Sequence, residues 1–462
     1  MSVVLRGVTV VDPRNGTLAE GKDVLIEGDR ISAVAPAGSL AAGEVVNGAG
    51  GFVVPGFVDM HAHAMENKDP SGTLALMLAH GITGFRQMSG SDRILRMGPL
   101  PADAPAMLAR PGDLLTPFTA GSADKAVATV RHQHELGADF VKSVMTPASV
   151  FAAAQAEANR LGIPLLGHLP LKADVARVCG DGMRSIEHLG AGVGLLACCS
   201  SEQATVEAGL AQQRDISIPP VLQPLVAPLF KRVLKRIVVN PLLMVRQPEV
   251  DIYEQAAQSF DEDAAATVAS MLKASGTWQV PTLIRAKTMQ LCSDPAFGKD
   301  PDLRYMAPAA LKAWNKAAAK FGSLPDATRQ TFALTNAVMM RLVKVLDDHG
   351  VPMLTGSDAC GAAWVVPGAS LHAEFDELAR AGISPLRVLQ MTTSDAADFL
   401  GRSDLGSVEA GRQADLVVLG ANPLESVASL HAVTGVVRAG RWYDVDALTG
   451  LRERVAAARS AA

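Results

Sequence analysis

The residues best able to do chemistry fall in order along the chain: His61, His63, Lys142, His168, His188 and Asp358. His61 and His63 flank one alanine at the end of Phe57-Val-Asp-Met60, a run that reads as a β-strand. Residues i and i+2 of a strand point to the same side, so both imidazoles can meet one metal ion. Lys142 lies in the apolar run Phe140-Val-Lys-Ser-Val144. His168, His188 and Asp358 each follow another short apolar run. Taken singly, each has an ordinary reading: a packing histidine, a snorkelling lysine, a helix-capping aspartate. Their coincidence at the ends of successive strands, in a chain with ten His, points to a metal centre. The pair His132-Gln-His134 has the same spacing but sits in a helical segment, where i and i+2 do not share a face. It reads as surface. His80, His349, His372 and His431 lie in helical or loop settings and read as structural.

Eight short strands must position these residues. They are Phe57-Val-Asp-Met60, Ile82-Thr-Gly-Phe-Arg86, Leu114-Leu-Thr-Pro-Phe118, Phe140-Val-Lys-Ser-Val144, Pro164-Leu-Leu-Gly167, Arg184-Ser-Ile-Glu187, Trp278-Gln-Val-Pro-Thr-Leu283 and Val351-Pro-Met-Leu-Thr355. They alternate with Ala/Leu-rich helical stretches. That pattern predicts an α/β fold, a (β/α)8 barrel over 55–400, with the chemistry at the C-terminal ends of the strands. The long gaps before the last two strands predict helical insertions near 200–275 and 285–345, placed to shape the mouth. Residues 1–54 and 401–462 carry short alternating strands broken by Gly, Asn and Asp. They predict one small β-sandwich built from both chain ends.

Composition narrows the function. The chain has 462 residues, 48% apolar and 19% charged, enough for a large core. With 42 basic against 47 acidic residues and no basic block, nucleic acid is a poor partner. No run approaches the ~18 apolar residues that a membrane span needs. No signal peptide is visible, so a cytoplasmic setting is expected. Cys179, Cys198, Cys199, Cys292 and Cys360 show no CxxC spacing and form neither a disulfide framework nor a zinc knuckle. Gly190-Ala-Gly-Val-Gly194 lacks the dinucleotide fingerprint. Neither a GxSxG elbow nor a Walker loop occurs. A small-molecule substrate is left, in a pocket without an aromatic cage, since aromatics are 4%.

Val54-Pro-Gly-Phe-Val-Asp-Met-His-Ala-His63 resembles the strand-one signature of the amidohydrolase superfamily. Lys142, His168, His188 and Asp358 match its remaining metal positions. Leu405 to Leu419 is similar to that superfamily's return into its sandwich domain. Pro367 to Leu378, with Ile383 to Leu386, resembles the imidazolonepropionase-like and Xaa-Pro dipeptidase-like branch. The resemblance implies two divalent metal ions, zinc foremost, and a homo-oligomer. It implies that Lys142 carries a CO2-derived carboxylate bridging both metals. His61, His63 and Asp358 would hold one ion, and His168 and His188 the other. A bare ammonium beside two dications is strongly repelled; carboxylation turns that cation into an anion. Lysine also separates the chain from imidazolonepropionases, which lack it.

The expected reaction is hydrolysis of an amide bond in N-acyl amino acids or dipeptide-like substrates. A metal-bridging hydroxide attacks, and Asp358 shuttles the proton to the leaving amine. Cyclic amides, lactones and phosphotriesters suit the same metals, while a non-enzymatic scaffold would be expected to have lost ligands. A substrate carboxylate would call for a cation, and Arg86 and Arg285 are the candidates. Met65, Met145, Leu169, Leu189 and Trp364 follow the metal positions and could line an apolar pocket.

Overall fold

The computed structural model describes residues 2–48, 50–66, 69–170, 172–213, 238–359 and 361–460. Five strands open the chain: β1 (Ser2–Asp12), β2 (Thr17–Glu27), β3 (Arg30–Pro36), β4 (Glu44–Asn47) and β5 (Phe52–Pro55). Seven follow in the middle: β6 (Phe57–Ala62), β7 (Ile82–Gln87), β8 (Ala106–Ala109), β9 (Val141–Ser143), β10 (Leu165–Gly167), β11 (Ser185–Glu187) and β12 (Trp278–Val280). Three close it: β13 (Leu416–Leu419), β14 (Val433–Arg438) and β15 (Arg441–Asp444).

The two ends meet in one eight-stranded sheet of order β15-β14-β13-β5-β1-β2-β3, with β4 on β1. The seam is antiparallel, Val417 opposite Val54 and Leu416 opposite Pro55. Alternation along these strands serves two cores. Val10, Val53, Leu416 and Val418 join a cluster of the sheet's own, with Val24, Ile26 and Ile31. Val11, Val54, Val417 and Leu419 join the large core of the middle of the chain. Both chain ends therefore contribute to a single hydrogen-bonded sheet, which does not by itself establish the β-sandwich expected from them.

The middle strands are all parallel and form a ring. β6-β7-β8 is one sheet and β9-β10-β11-β12 another. Parallel bridges Pro111–Phe140 and Leu115–Ser143 join the chain after β8 to β9. Bridges Gln279–Met353 and Ala62–Ala359 run from β12 through the segment 353–359 back to β6. The eight staves thus close into a TIM-barrel-like domain. Three staves differ from the sequence reading. The third is Ala106–Ala109, whereas Leu114–Phe118 contributes one bridge, at Leu115. Pro117 cannot donate to a ladder, and Thr116 and Thr119 bond each other in a turn. The eighth is irregular, with Met353 making a single bridge. The seventh ends at Val280, and a helix begins at Leu283.

Helices cover the barrel. Gln203–Gln212, Gln247–Gln258 and Glu262–Ser275 lie between β11 and β12. Leu283–Gln290, Pro308–Gly322 and Asp326–Asp348 follow β12. The last helix, Val445–Ser460, packs on Pro70–Ala79, where Arg459 pairs with Asp69 at 3.0 Å and Asp69 caps Gly72. Among the described residues no helix is long and apolar enough to cross a membrane. Cys179, Cys198, Cys199 and Cys292 are free thiols; Cys360 lies outside the described residues.

One buried ion pair locks the sheet to the N-terminal end of the barrel strands. Arg438 Nη1 donates to both Asp415 oxygens at 2.9 and 3.1 Å, and its Nε to the Ala104 carbonyl. Asp415 in turn accepts from Ala439 N, and its carbonyl from Gly56 N. Arg438→Ala is expected to cost about 3–5 kcal/mol in a urea melt, because it strands the buried Asp415 charge. Arg14→Ala breaks a pair with Asp398 that is half exposed on both sides, and should cost under about 1 kcal/mol. Equal losses would refute this ranking.

Candidate metal centre

His61 is the penultimate residue of β6 and His63 lies one residue past its end, so their side chains emerge on the same side. Asp358 comes to them from the eighth stave. Its N–H donates to the His61 carbonyl at 2.8 Å, and His63 N–H donates to the Ala359 carbonyl. Gly356 allows the approach: a Cβ there would lie 2.5 Å from His61 Cβ. Asp358 Oδ1 then stands 3.4 Å from His61 Nε2 and 3.2 Å from His63 Nε2. Among the described residues these three are the group whose ligand atoms all lie within 4.8 Å of one another.

The other expected residues surround them. Lys142 on β9 is buried, its Nζ 3.1 Å from His61 Nε2. The His61 and His188 rings are 4.5 Å apart, and His168 stands edge-on to His188 at 5.2 Å. His188 Nε2 lies 4.0 Å from Asp358 Oδ2. All six residues read from the sequence are therefore gathered at one end of the barrel.

Each imidazole that meets Asp358 is oriented from behind. His61 Nδ1–H donates to Glu187 Oε2 at 2.6 Å. His63 Nδ1 faces Glu66 Oε2 at 3.2 Å and Ser89 Oγ at 2.6 Å. The Thr282 hydroxyl donates to the Pro281 carbonyl, so its oxygen accepts from His188 Nδ1–H at 2.5 Å. With Nδ1 committed as donor, Nε2 carries the lone pair. Asp59 completes the support. Its carboxylate accepts from His61 N, Ser357 N and the Ser357 hydroxyl, fastening β6 to the Asp358 turn. Burial pushes Asp59 up to about 6 against those hydrogen bonds.

Electrostatics keep most of the donors ready, although at His63 the hydrogen bonds to Asp358 and Glu66 outweigh burial and raise the imidazole above its ordinary value. Burial holds His61 and His168 well below 6.5, with Lys142 acting in the same direction. Burial pushes His188 down to about 3. Burial would raise Asp358, but His188, His61 and His63 outweigh it and hold the carboxyl well below its usual range. Neutral imidazoles and an ionised carboxylate are the forms that bind a divalent transition ion. The donor set fits such an ion. Backbone strain gathers at the same place. Met145, His188, Leu189, Thr282, Asp358 and Trp364 all have positive φ, between 47 and 64°. Met145, His188, Leu189 and Thr282 lie just beyond staves, Asp358 lies on the eighth and Trp364 follows it, and strain of this kind collects at functional sites.

Arg86 is corrected. It is fully buried, donating from Nη2 to Glu187 Oε1 at 2.9 Å and from Nε to the Met60 carbonyl at 2.7 Å. It serves the support layer and cannot meet substrate. Arg285 lies at the centre, its Nε 3.4 Å from Asp358 Oδ2. Met65, Leu169, Leu189 and Trp364 are buried, while Met145 is half exposed. His132 and His134 are exposed on a helix. Sequence reasoning missed Glu187 and Thr282. The signal for Glu187 was a carboxylate inside a buried strand, immediately before His188.

Residues 255–443 match the amidohydrolase family. The adenine deaminase of Chelativorans sp. (strain BNC1) is 27% identical over 207 residues, 39% of this chain and 34% of that protein. The chain thus spans about a third of the length of that relative. The dihydroorotase of Pelotomaculum thermopropionicum is 41% identical over 66 residues, 14% of this chain and 15% of that one. Among solved structures, a bottromycin amidohydrolase superposes with a TM-score of 0.67 at 24% identity, covering 99% of this chain and 90% of its own. A Xaa-Pro dipeptidase with methionine bound in its active site gives 0.61 at 15%, covering 96% and 100%. These likenesses show the fold.

Two outcomes follow from the support layer. Between pH 6.5 and 3 the unfolded chain protonates His188 while the folded chain does not. Metal-free protein is therefore expected to hold this contribution in full above pH 6.5. It should lose up to about 1.4 kcal/mol per pH unit below that. Urea melts across this range check it, and His188→Gln should flatten the slope by that amount; an unchanged slope would count against the assignment. Glu187→Gln is expected to lower zinc affinity about 10–100-fold, read by competition with a chromophoric chelator. The double variant with Arg86→Met removes the stranded guanidinium and keeps the test open where the single variant does not fold. Undiminished affinity in both would refute an orienting role for Glu187.

Proposed function

We propose that this chain, with its amidohydrolase-family domain, is a metal-dependent hydrolase that cleaves an amide C–N bond. Its substrates would be small N-acyl amino acids or dipeptide-like molecules. The observation that carries the reading is the meeting of His61, His63 and Asp358, each imidazole turned by an acceptor on its far nitrogen. In this reading two ions, zinc foremost, are held by His61, His63 and Asp358 and by His168 and His188. The barrel over 55–400 is the catalytic domain, and 1–54 with 401–462 form a supporting β unit.

Lys142 becomes a ligand by carboxylation: its neutral amine adds to CO2, forming an N–C bond and releasing a proton. Its burial beside His61 Nε2 supports this, since an anion there joins the donor set and an ammonium opposes it. When bound, the ions supply Lewis acidity and activate water. The chain's own residues do the rest. Asp358, ionised at neutral pH, takes a proton from the attacking water and delivers it to the leaving nitrogen. Arg285 is buried, and its Nη2 donates to the Val238 carbonyl at 2.9 Å. Its Nη1 is buried without a hydrogen-bond partner. A substrate carboxylate would satisfy that donor.

Amine release from a panel of N-acyl amino acids and dipeptides by zinc-loaded protein tests the reading. Asp358→Asn is expected to lower kcat about 100–10,000-fold. Arg285→Lys is expected to raise KM for carboxylate-bearing substrates about tenfold, with a smaller change in kcat. No turnover across the panel by metal-loaded protein would reject amide cleavage and bring cyclic amides, lactones and phosphotriesters forward.

A further inference from the structure

Two residues that face the metal centre sit at the start of the helix Leu283–Gln290. Thr282, its N-cap, accepts from His188 Nδ1–H, and Arg285 Nε stands 3.4 Å from Asp358 Oδ2. A helix start leaves N–H groups in need of acceptors, and the N-cap side chain commonly supplies one. Thr282 does not. Its φ is 47°, and its hydroxyl is committed to His188 and to the Pro281 carbonyl. The acceptor comes instead from 90 residues along the chain: Glu374 Oε2 accepts from Ile284 N at 2.7 Å, with the Leu283 N–H beside it.

Burying a carboxyl in this place is unfavourable. Glu374 is fully buried, and its Oε1 has no hydrogen-bond partner. Burial raises it well above the ordinary glutamate value, toward the neutral acid. A neutral acid still accepts N–H bonds, as an amide oxygen does. Its helix, Ala369–Arg380, is braced on the strand that bears His61. Phe375 and His372 meet Phe57, the first residue of β6, edge-on at 5.6 and 5.8 Å. His372 Nε2–H donates to the His80 carbonyl and His80 Nδ1–H to the Leu76 carbonyl, both at 2.8 Å. His431 Nε2–H donates to Asp376 at 3.0 Å. These three histidines line a cavity of about 500 Å³ beside the helix. A second contact joins the two helices one turn on, from Lys287 Nζ to Glu377 Oε1 at 2.7 Å. That contact ties side chains together, whereas Glu374 holds the backbone between Thr282 and Arg285.

We propose that Glu374 is a positioning residue for the metal centre. It acts through the first turn of Leu283–Gln290, setting Thr282 against His188 and Arg285 against Asp358. The Arg285 half rests on the hydrolase reading; the Thr282 half rests only on His188 as a metal ligand.

Zinc affinity by chelator competition, with KM and kcat on N-acyl amino acids, tests this on the full-length protein. Glu374→Met removes both oxygens at similar length. It is expected to lower zinc affinity about tenfold and to raise KM about tenfold. Thr282→Val should reproduce chiefly the first change, and Arg285→Lys chiefly the second. Glu374→Gln keeps an acceptor and should hold both quantities within about threefold of wild type. Glu374→Asp, one methylene short, should fall between Gln and Met, and it carries the test where Met does not fold. Glu377→Gln weakens the Lys287 contact but keeps the first-turn anchor. It should lower stability to urea yet leave zinc affinity and KM unchanged. Unchanged values in both Glu374→Met and Glu374→Asp, or equal losses in Glu377→Gln, would overturn the proposal. Zinc binding without turnover in the wild-type protein would reject the hydrolase reading instead, and the zinc comparison would still decide this one.

Discussion

The Glu187 carboxylate holds together two groups that the barrel interior could not otherwise tolerate. One oxygen neutralises the fully buried Arg86 guanidinium; the other fixes the His61 ring. Arg86 also donates to the Met60 carbonyl and lies over the rings of Phe399 and Phe140, at 4.9 and 5.7 Å. Staves β6, β7 and β11 are thereby tied through one charged knot. Desolvating such a pair costs about as much as its attraction returns, so the knot adds little to net stability. What it adds is specification. Any rotation of His61 would leave Glu187 with an unmet lone pair in a fully buried place. The ring is held with Nε2 toward Lys142 and Asp358 because the alternatives are expensive.

Strain has the same origin. At the upper ends of several staves the chain turns sharply and aims a side chain across the barrel mouth. His188, Thr282 and Asp358 do so in left-handed conformations that side chains with a Cβ avoid. A closely packed ring beneath them leaves no relaxed route. Thr282 shows the return: its strained backbone places the hydroxyl where it accepts from His188 Nδ1–H and donates to the Pro281 carbonyl. A relaxed turn would forfeit both bonds.

Much of this was legible in the sequence. Strand periodicity put His61 and His63 on one side, and the order of the remaining residues along the staves brought them to the same end. The two-ended β unit was visible in its alternation and turn residues. Other features were hidden because they depend on contacts distant in sequence. The third stave, Ala106-Met-Leu-Ala109, consists of good helix formers and is a strand because β7 pairs with it. Arg86 looks like a substrate cation until Glu187, 101 residues away, is seen to claim it. His80, His372 and His431 each look like packing residues, and only the fold places them around one cavity.

The two clusters of histidine are built on one device. In each, an oxygen acceptor takes the proton-bearing nitrogen of the ring and turns the other nitrogen outward as a lone pair. At the barrel end, strand geometry and the Gly356 approach press those lone pairs within ligand distance of Asp358. In the cavity the rings sit on separate elements, His80 after one helix, His372 within another and His431 in the β unit. The rings stand 5.8 and 4.9 Å apart, yet their nitrogens do not converge on one point. The chemistry of the donors is the same, and their spacing decides whether an ion can be held. The helix Leu283–Gln290 belongs to both places. It presents Arg285 to Asp358 and Ile284 with Lys287 to the cavity wall. Buried Glu374 fixes its start, accepting from Ile284 N at 2.7 Å. Pinned at its first turn, that helix holds Arg285 beside Asp358 while Ile284 and Lys287 face away from it.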